Sequence, residues 1–190
     1  MTHWTQCSSR FDKNPAKYEA GISLHRERVT YDFTLCIFRK GSRWFMHFDP
    51  FFSEQFPEEL GEMTGEEAKH AAKTLCEEAL LPQVKALEGL VLTDGTVFPS
   101  NETGTVWRRV NQKKSESFFS TYLGDESGFY IRAYLDHSNN NWAVEGPFDD
   151  HEDPEELGTF PSERDALRKA AERVLCDFTE ILRELRSLGG

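Results

Sequence analysis

The sequence has no apolar run of about 18 residues, the length at which a segment becomes a candidate membrane span. Its first residues also lack the basic and then apolar order of a secretory signal. We therefore expect a cytoplasmic protein that does not act at a membrane.

Cysteine is scarce and shows no C-x-x-C spacing. Isolated cysteines remain thiols in a reducing cytosol, so we interpret Cys7, Cys36, Cys76 and Cys176 as small core residues. No G-x-G-x-x-G, P-loop or H-E-x-x-H motif is present, and the six histidines are isolated. The sequence thus predicts a non-enzymatic protein without a cofactor or metal. A small hydrolase with a dispersed site remains an alternative, because catalytic triads assemble from distant segments.

The sequence also has few positive charges: it contains 22 Lys and Arg but 33 Asp and Glu, which gives a net charge of -11. This balance disfavours direct binding to nucleic acid or to anionic membranes. The acid is concentrated in residues 49–67 and 145–156, which each hold seven carboxylates and no Lys or Arg. The second stretch lacks the alternating spacing and central glycine of a calcium loop. We interpret both stretches as solvated acidic loops without internal counter-charges.

What the sequence does contain is an apparent duplication. Four features occur in one order: a tryptophan at Trp44, Pro-Glu-Glu-Leu-Gly at 57–61, Ala-Ala at 71–72 and Leu-Cys at 75–76. The same four features recur in the same order at Trp142, 154–158, 170–171 and 175–176, an offset of 97 to 100 residues. Solenoid repeats recur at shorter periods. The pattern therefore predicts two copies of one ancestral unit with small insertions.

Both copies carry the same predicted elements. In the first, residues 31–39 and 43–48 alternate like a hairpin, and Thr64 with Glu67 forms a capping box for a helix that Pro82 should kink or end. In the second, residues 129–135 and 142–145 form the hairpin, and Ser162 caps the longest helix. Further strands are expected in residues 21–29, 90–98, 105–110 and 117–123.

The expected fold is α+β, with two similar units that each place a helix on one face of an antiparallel sheet, after an acidic loop. We expect a flexible N-terminal arm at 1–17, a first strand-strand-helix unit at 18–89 and a second, extended unit at 90–190.

Aromatic side chains interrupt both acidic loops. They could pack beneath the helices as hydrophobic staples, or they could anchor a binding surface rimmed by carboxylates. The second interpretation predicts these partner-binding residues: Glu58, Glu59, Asp149, Asp150, Glu152, Asp153, Phe51, Phe52, Phe56 and Phe148.

Each half, Trp44 to Leu80 and Trp142 to Leu185, resembles the strand-strand-helix unit of HicB-type antitoxins. Residues 157–166 resemble the sheet-to-helix junction of plant AP2-type and integrase arm DNA-binding domains. The Pro-Gly-Cys turn of HicB proteins is missing, and the second hairpin lacks the Arg and Lys with which AP2-type sheets contact DNA. No functional residue carries over from these resemblances.

An acidic surface suits a basic partner. We expect an inhibitor that docks on a basic nucleic-acid-binding protein, such as a nuclease or a CRISPR or restriction subunit, and blocks its nucleic-acid channel. This profile resembles phage anti-CRISPR and anti-restriction DNA mimics and nuclease immunity proteins. The alternative is a protein-interaction module without inhibitory purpose, such as a regulator that forms a homodimer through its apolar helix faces.

Overall fold

A computed structural model describes most of the 190-residue chain. The described residues are 3–7, 17–25, 30–48, 56–92, 106–109, 119–122, 130–148 and 156–189. They contain ten strands and two helices, so the α+β class is confirmed. Among these residues, neither helix combines the length and apolarity needed to cross a membrane.

The first sheet is an antiparallel meander whose strands pair in chain order. Its strands are β1 (Thr5–Cys7), β2 (Lys17–His25), β3 (Thr30–Lys40), β4 (Arg43–Phe48) and β5 (Glu58–Glu62). One face of β2, β3 and β4 is apolar at every second residue and is fully buried at Ile22, Leu35 and Met46. Strands β3 and β4 confirm the predicted hairpin, and β2 supplies the strand expected near residue 21.

Helix α1 (Gly65–Leu92) follows this sheet. Its buried side chains recur every three or four residues, as an amphipathic helix requires: Ala68, Ala72, Cys76, Leu80, Val84 and Leu87. The predicted capping box is confirmed. The Thr64 hydroxyl accepts from the Glu67 backbone N at 3.3 Å, and the Glu67 carboxylate accepts from the Thr64 backbone N at 2.7 Å.

The capping box makes the stability of α1 sensitive to acid. The backbone and then the hydroxyl hydrogen bonds from Thr64 lower the pKa of Glu67 below its ordinary value of 4.5. A lowered folded-state pKa gives stability that is present above the unfolded pKa and is lost as pH falls through the folded pKa. We expect Glu67→Gln, which keeps the box geometry, to flatten the acid limb of urea-unfolding free energy measured from about pH 6 to about pH 3. Glu78→Gln, at an exposed helix position, is the control, and equal acid limbs in wild type and Glu67→Gln would contradict the prediction.

Pro82 lies inside α1 and does not end it, so the prediction of an end there is wrong. The turns beyond the proline bury Val84 and Leu87, and this burial offsets the hydrogen bond that proline cannot donate. The hairpin expected at residues 90–98 is also wrong at its start, because α1 continues to Leu92. The remainder of that segment lies outside the described residues.

The second sheet is also an antiparallel meander, in which the strands again pair in chain order. Its strands are β6 (Val106–Arg109), β7 (Phe119–Tyr122), β8 (Tyr130–Asp136), β9 (Asn141–Phe148) and β10 (Glu156–Phe160). Strands β6 and β7 confirm the strands predicted at 105–110 and 117–123. Strand β9 continues three residues beyond Glu145, where the predicted return strand ended.

Helix α2 (Glu163–Ser187) completes the chain, and the predicted cap is confirmed because the Ser162 hydroxyl accepts from the Asp165 backbone N at 3.2 Å. Apolar side chains at three- and four-residue spacing are buried along α2: Ala170, Val174, Phe178, Ile181, Leu185 and Leu188. Leu167 is only half-buried, and Ala166 takes the buried position of that turn.

The chain forms two compact units, and the division predicted at residue 90 stays a prediction. The first unit comprises Met1–Leu81 and Glu180–Gly190, and the second comprises Pro82–Thr179. Within the first unit, Lys73 Nζ donates to the carbonyls of Arg186 and Leu188, both at 3.0 Å. The lysine thereby satisfies carbonyls that the end of α2 leaves without an intrahelical donor.

Two expectations about irregular segments need correction. The acidic stretches are not continuous loops, because Glu58–Glu62 form β5 and Glu156–Phe160 form β10. The predicted arm at 1–17 contains β1, which pairs with β2 from Thr5↔Glu19 to Cys7↔Lys17. None of these three short strands has an alternating apolar pattern, so pairing with the neighbouring strand rather than its own sequence determines the conformation of each.

Candidate functional site

Strand β5 is the last strand of the first sheet and carries an acidic, aromatic edge. Phe56, two residues before the strand, is 74% exposed. Glu58 and Glu62 are exposed as well, and no cationic side chain of the described residues pairs with either. We call Phe56, Glu58 and Glu62 the β5 edge. An exposed aromatic ring beside carboxylates is the composition expected of an anchor for a basic partner.

The neighbouring carboxylate behaves differently. Glu59 lies opposite Phe45, and its Oε1 is 2.8 Å from Arg43 Nη1. The acidic stretch contains no Lys or Arg of its own, but the counter-charge of Glu59 comes from β4, where Arg43 is its diagonal cross-strand neighbour. Both side chains are about half exposed, 57% and 47%, so the pair contributes little to stability. Glu59 would nevertheless have to give up this arginine to bind a partner.

A β-bulge shapes the edge. Phe45 lies opposite Glu59 and Trp44 opposite Gly61, so Leu60 is the extra residue. Gly61 has φ of +98°, a conformation that L side chains rarely adopt, which is why glycine occupies the bulge. The bulge and the carboxylates together disfavour uncontrolled pairing of β5 with another strand. The edge therefore suits side-chain docking better than strand addition.

The second acidic stretch falls largely outside the described residues. Asp149, Asp150, Glu152 and Asp153 lie there, as do Phe51 and Phe52 of the first stretch. Phe148 is the last residue of β9, where it lies opposite Tyr130. Of the predicted partner-binding set, the structure thus brings Phe56, Glu58 and Glu59 together on one edge, and the remaining residues stay a prediction.

A second surface of the first unit was not predicted. It lies on the sheet face opposite the buried Ile22, Leu35 and Met46, at the turn between β3 and β4. The half-buried rings of Phe38 and Phe45 stack there with centroids 5.9 Å apart and an interplanar angle of 20°. Lys40 Nζ lies 5.2 Å and 5.6 Å from the two ring centroids, within cation–π range. We call Phe38, Lys40 and Phe45 the hairpin face.

Polar side chains adjoin the hairpin face. Glu19 accepts a 3.1 Å hydrogen bond from the Cys7 thiol and is 2.6 Å from Lys17 Nζ. The bond from Lys17, followed by that from Cys7, lowers the pKa of Glu19, and the Glu19 bond raises the pKa of Cys7. Burial likewise raises the pKa of Cys76. Both thiols therefore stay protonated and poorly nucleophilic at neutral pH.

Only one signal in the sequence pointed to the hairpin face. Phe38 and Phe45 occupy the polar-facing positions of strands whose other face is apolar, so an alternating strand carries an aromatic side chain on its outer side. Register then brings the two rings together, because Phe38 and Phe45 are direct cross-strand partners.

Within the described part of the chain, no cluster of three or more His, Cys, Asp or Glu could hold a metal ion. Comparisons of the sequence with protein-family models, with curated proteins and, for the fold, with solved structures give no match. The function must therefore be inferred from the two surfaces of the first unit.

Proposed function

We propose that this protein is a non-enzymatic inhibitor whose acidic surface docks on a basic, nucleic-acid-handling protein and blocks its nucleic-acid channel. The observation that carries the proposal is the β5 edge, where exposed Phe56 precedes a strand that carries the exposed carboxylates Glu58 and Glu62. Neither carboxylate forms an ion pair with a described cation. Glu62 accepts a 2.6 Å hydrogen bond from the Ser42 hydroxyl and lies opposite Arg43, so Glu58 is the more available to Lys or Arg of a partner. The net charge of -11 supports the same direction.

The partner would be a nuclease or a CRISPR or restriction subunit, because such proteins expose basic channels of the required sign. Carboxylates that imitate phosphates would give fast, salt-dependent association, and Phe56 would add an apolar anchor that salt does not screen. The carboxylates at 149–153, a stretch of sequence without Lys or Arg, would extend the charged surface if the same partner contacts them.

We further propose that the two acidic edges derive from one duplicated unit. Two features support this proposal: both meanders run directly into a capped helix, and both last strands contain a bulge whose glycine, Gly61 or Gly158, has positive φ. The registers differ in one respect, since Trp44 lies opposite Gly61 but Val144 lies opposite Gly158. Trp142 therefore lies two residues before the strand position that corresponds to Trp44.

The docking proposal predicts a large kinetic effect of charge reversal. In Glu58→Lys/Glu62→Lys, we expect association with a basic protein captured from lysate of the source organism to slow by about tenfold or more at low salt. The melting temperature should change little, because exposed charges contribute little to folding. Surface-plasmon kinetics across a salt series would measure the effect, with duplex DNA as competitor.

The matched control is Glu78→Lys/Glu88→Lys, which changes the net charge equally at exposed positions of α1. The control should retain nearly the wild-type rate. If association slows equally in both variants, net charge rather than the β5 edge determines the rate. An unchanged association rate in both variants would contradict docking through the β5 edge. Undiminished binding when DNA fills the channel of the partner would contradict the blocking mechanism.

A further inference from the structure

The hairpin face and the β5 edge are neighbouring surfaces of opposite character. Lys40 covers the stacked Phe38 and Phe45 rings, and no carboxylate of the described residues forms an ion pair with it. Strand β5 lies directly beside β4, which carries Phe45. One strand spacing, about 4.8 Å, therefore separates this cationic, aromatic surface from β5. Glu62 lies opposite Arg43 and shares the sheet face of Phe45, whereas Glu58 lies opposite the buried Met46 on the other face.

This juxtaposition is what a two-fold interface requires. In an isologous contact the same patch occurs on both subunits, so one half of the patch must complement the other half. Here Lys40 has the sign to meet Glu62 of a second copy, which lies on the same sheet face, and the half-buried aromatic pair has the character to receive its Phe56. The two-fold operation would make each contact twice.

We propose that the protein forms a homodimer in which the hairpin face of each subunit receives the β5 edge of the other. This inference goes beyond the proposed inhibition and does not depend on a basic partner. It also implies competition, because the dimer covers Phe56, Glu58 and Glu62. A basic partner would then bind the monomer and shift the equilibrium away from the dimer.

A second copy fits the hairpin face better than a nucleic-acid strand does. Lys40 already lies over both aromatic rings, where a stacking base would have to sit. The carboxylates of the adjacent β5 edge would repel phosphates. In a second copy, by contrast, those same carboxylates supply the matching charge.

The test is a charge exchange between the two surfaces, measured by sedimentation equilibrium up to about 1 mM subunit, where even weak self-association is populated. Lys40→Glu should raise the dimer dissociation constant about tenfold or more, and so should Glu58→Lys/Glu62→Lys. Combining all three substitutions should restore dissociation to within a few-fold of wild type, because opposite charges again face each other across the two-fold axis. Lys85→Glu and Glu78→Lys/Glu88→Lys, at exposed positions of α1, are the controls and should leave the dissociation constant unchanged.

The outcomes separate this proposal from the inhibitory one. Monomeric wild type at the highest concentration, or failure of the combined variant to recover while both parents are weakened, would overturn the dimer. A folded, monomeric Lys40→Glu that captures the basic partner at least as well as wild type would support both proposals. If the charge-exchange variants behave as expected but no basic partner is captured, the dimer proposal is supported and the inhibitor proposal is contradicted. Circular dichroism of each variant identifies any loss of folding.

Discussion

Replacing Trp44 with alanine is expected to lower the free energy of unfolding by about 3–5 kcal/mol. Trp44 is only 2% exposed, and its ring stacks on Tyr18 at a centroid distance of 5.9 Å. Its Nε1 donates a 2.9 Å hydrogen bond to the carbonyl of Met63, just before the cap of α1. Alanine would leave a cavity and an acceptor without its donor in the same place. Urea unfolding followed by far-UV circular dichroism measures the effect independently of tryptophan fluorescence.

Trp44→Phe is the matched control, because it keeps an aromatic ring and removes the indole N–H. We expect a smaller loss, of about 1–3 kcal/mol, from the unsatisfied carbonyl and the lost ring volume. Ring packing would not be the dominant contribution if the phenylalanine and alanine variants were equally destabilised. A loss below about 1 kcal/mol for Trp44→Ala would contradict the burial itself.

Removing the buried carboxylate of Asp177 is expected to be comparably destabilising. Asp177 is 0% exposed, and its Oδ2 lies 3.0 Å from Nε of Arg173, whose side chain is only 12% exposed. Asp177→Ala would leave the guanidinium without this carboxylate, and breaking a buried pair in this way costs about 3–5 kcal/mol. Thermal and urea unfolding of the variant would measure the loss.

Two further variants test that explanation. Arg183→Ala removes a 3.3 Å contact with Glu180 on the same helix, where the arginine side chain is 67% exposed, and it should cost no more than about 1 kcal/mol. Arg173→Met combined with Asp177→Leu removes both charges and should recover most of the lost stability. If the double variant is as unstable as Asp177→Ala, packing around residue 177 rather than the unpaired charge causes the loss.

The helices and the buried strands were predictable because their signals are local. The capping residues Thr64 and Ser162 precede apolar side chains at helical spacing, and Phe33, Leu35 and Ile37 recur at every second residue of a strand. Strands β1, β5 and β10 were not predictable. In β5, for example, Glu58–Glu62 contains one half-buried leucine and an interior glycine. Pairing with β4 makes this segment a strand. Pro82 misled for a related reason, because the burial that continues α1 depends on tertiary packing.

The candidate site also has a part that the sequence predicts and a part that depends on strand register. The excess of acid around Glu58 could be recognised from composition, but the pairing of Glu59 with Arg43 depends on register across a bulge. The stacking of Phe38 on Phe45 also requires the register of β3 and β4, and the sequence alone marks both residues only as part of alternating strands.

The composition of the first unit has a consequence for the order in which the protein folds during synthesis. Strands β1 to β5 and most of α1 leave the ribosome first, and their neighbour-to-neighbour pairing favours rapid assembly. The unit also contains Glu180–Gly190, which is synthesised after the whole second unit and supplies the carbonyls that Lys73 contacts. The first unit therefore cannot be completed until the second unit has been synthesised. Until then its nascent form presents an uncovered apolar surface that would be a substrate for chaperones.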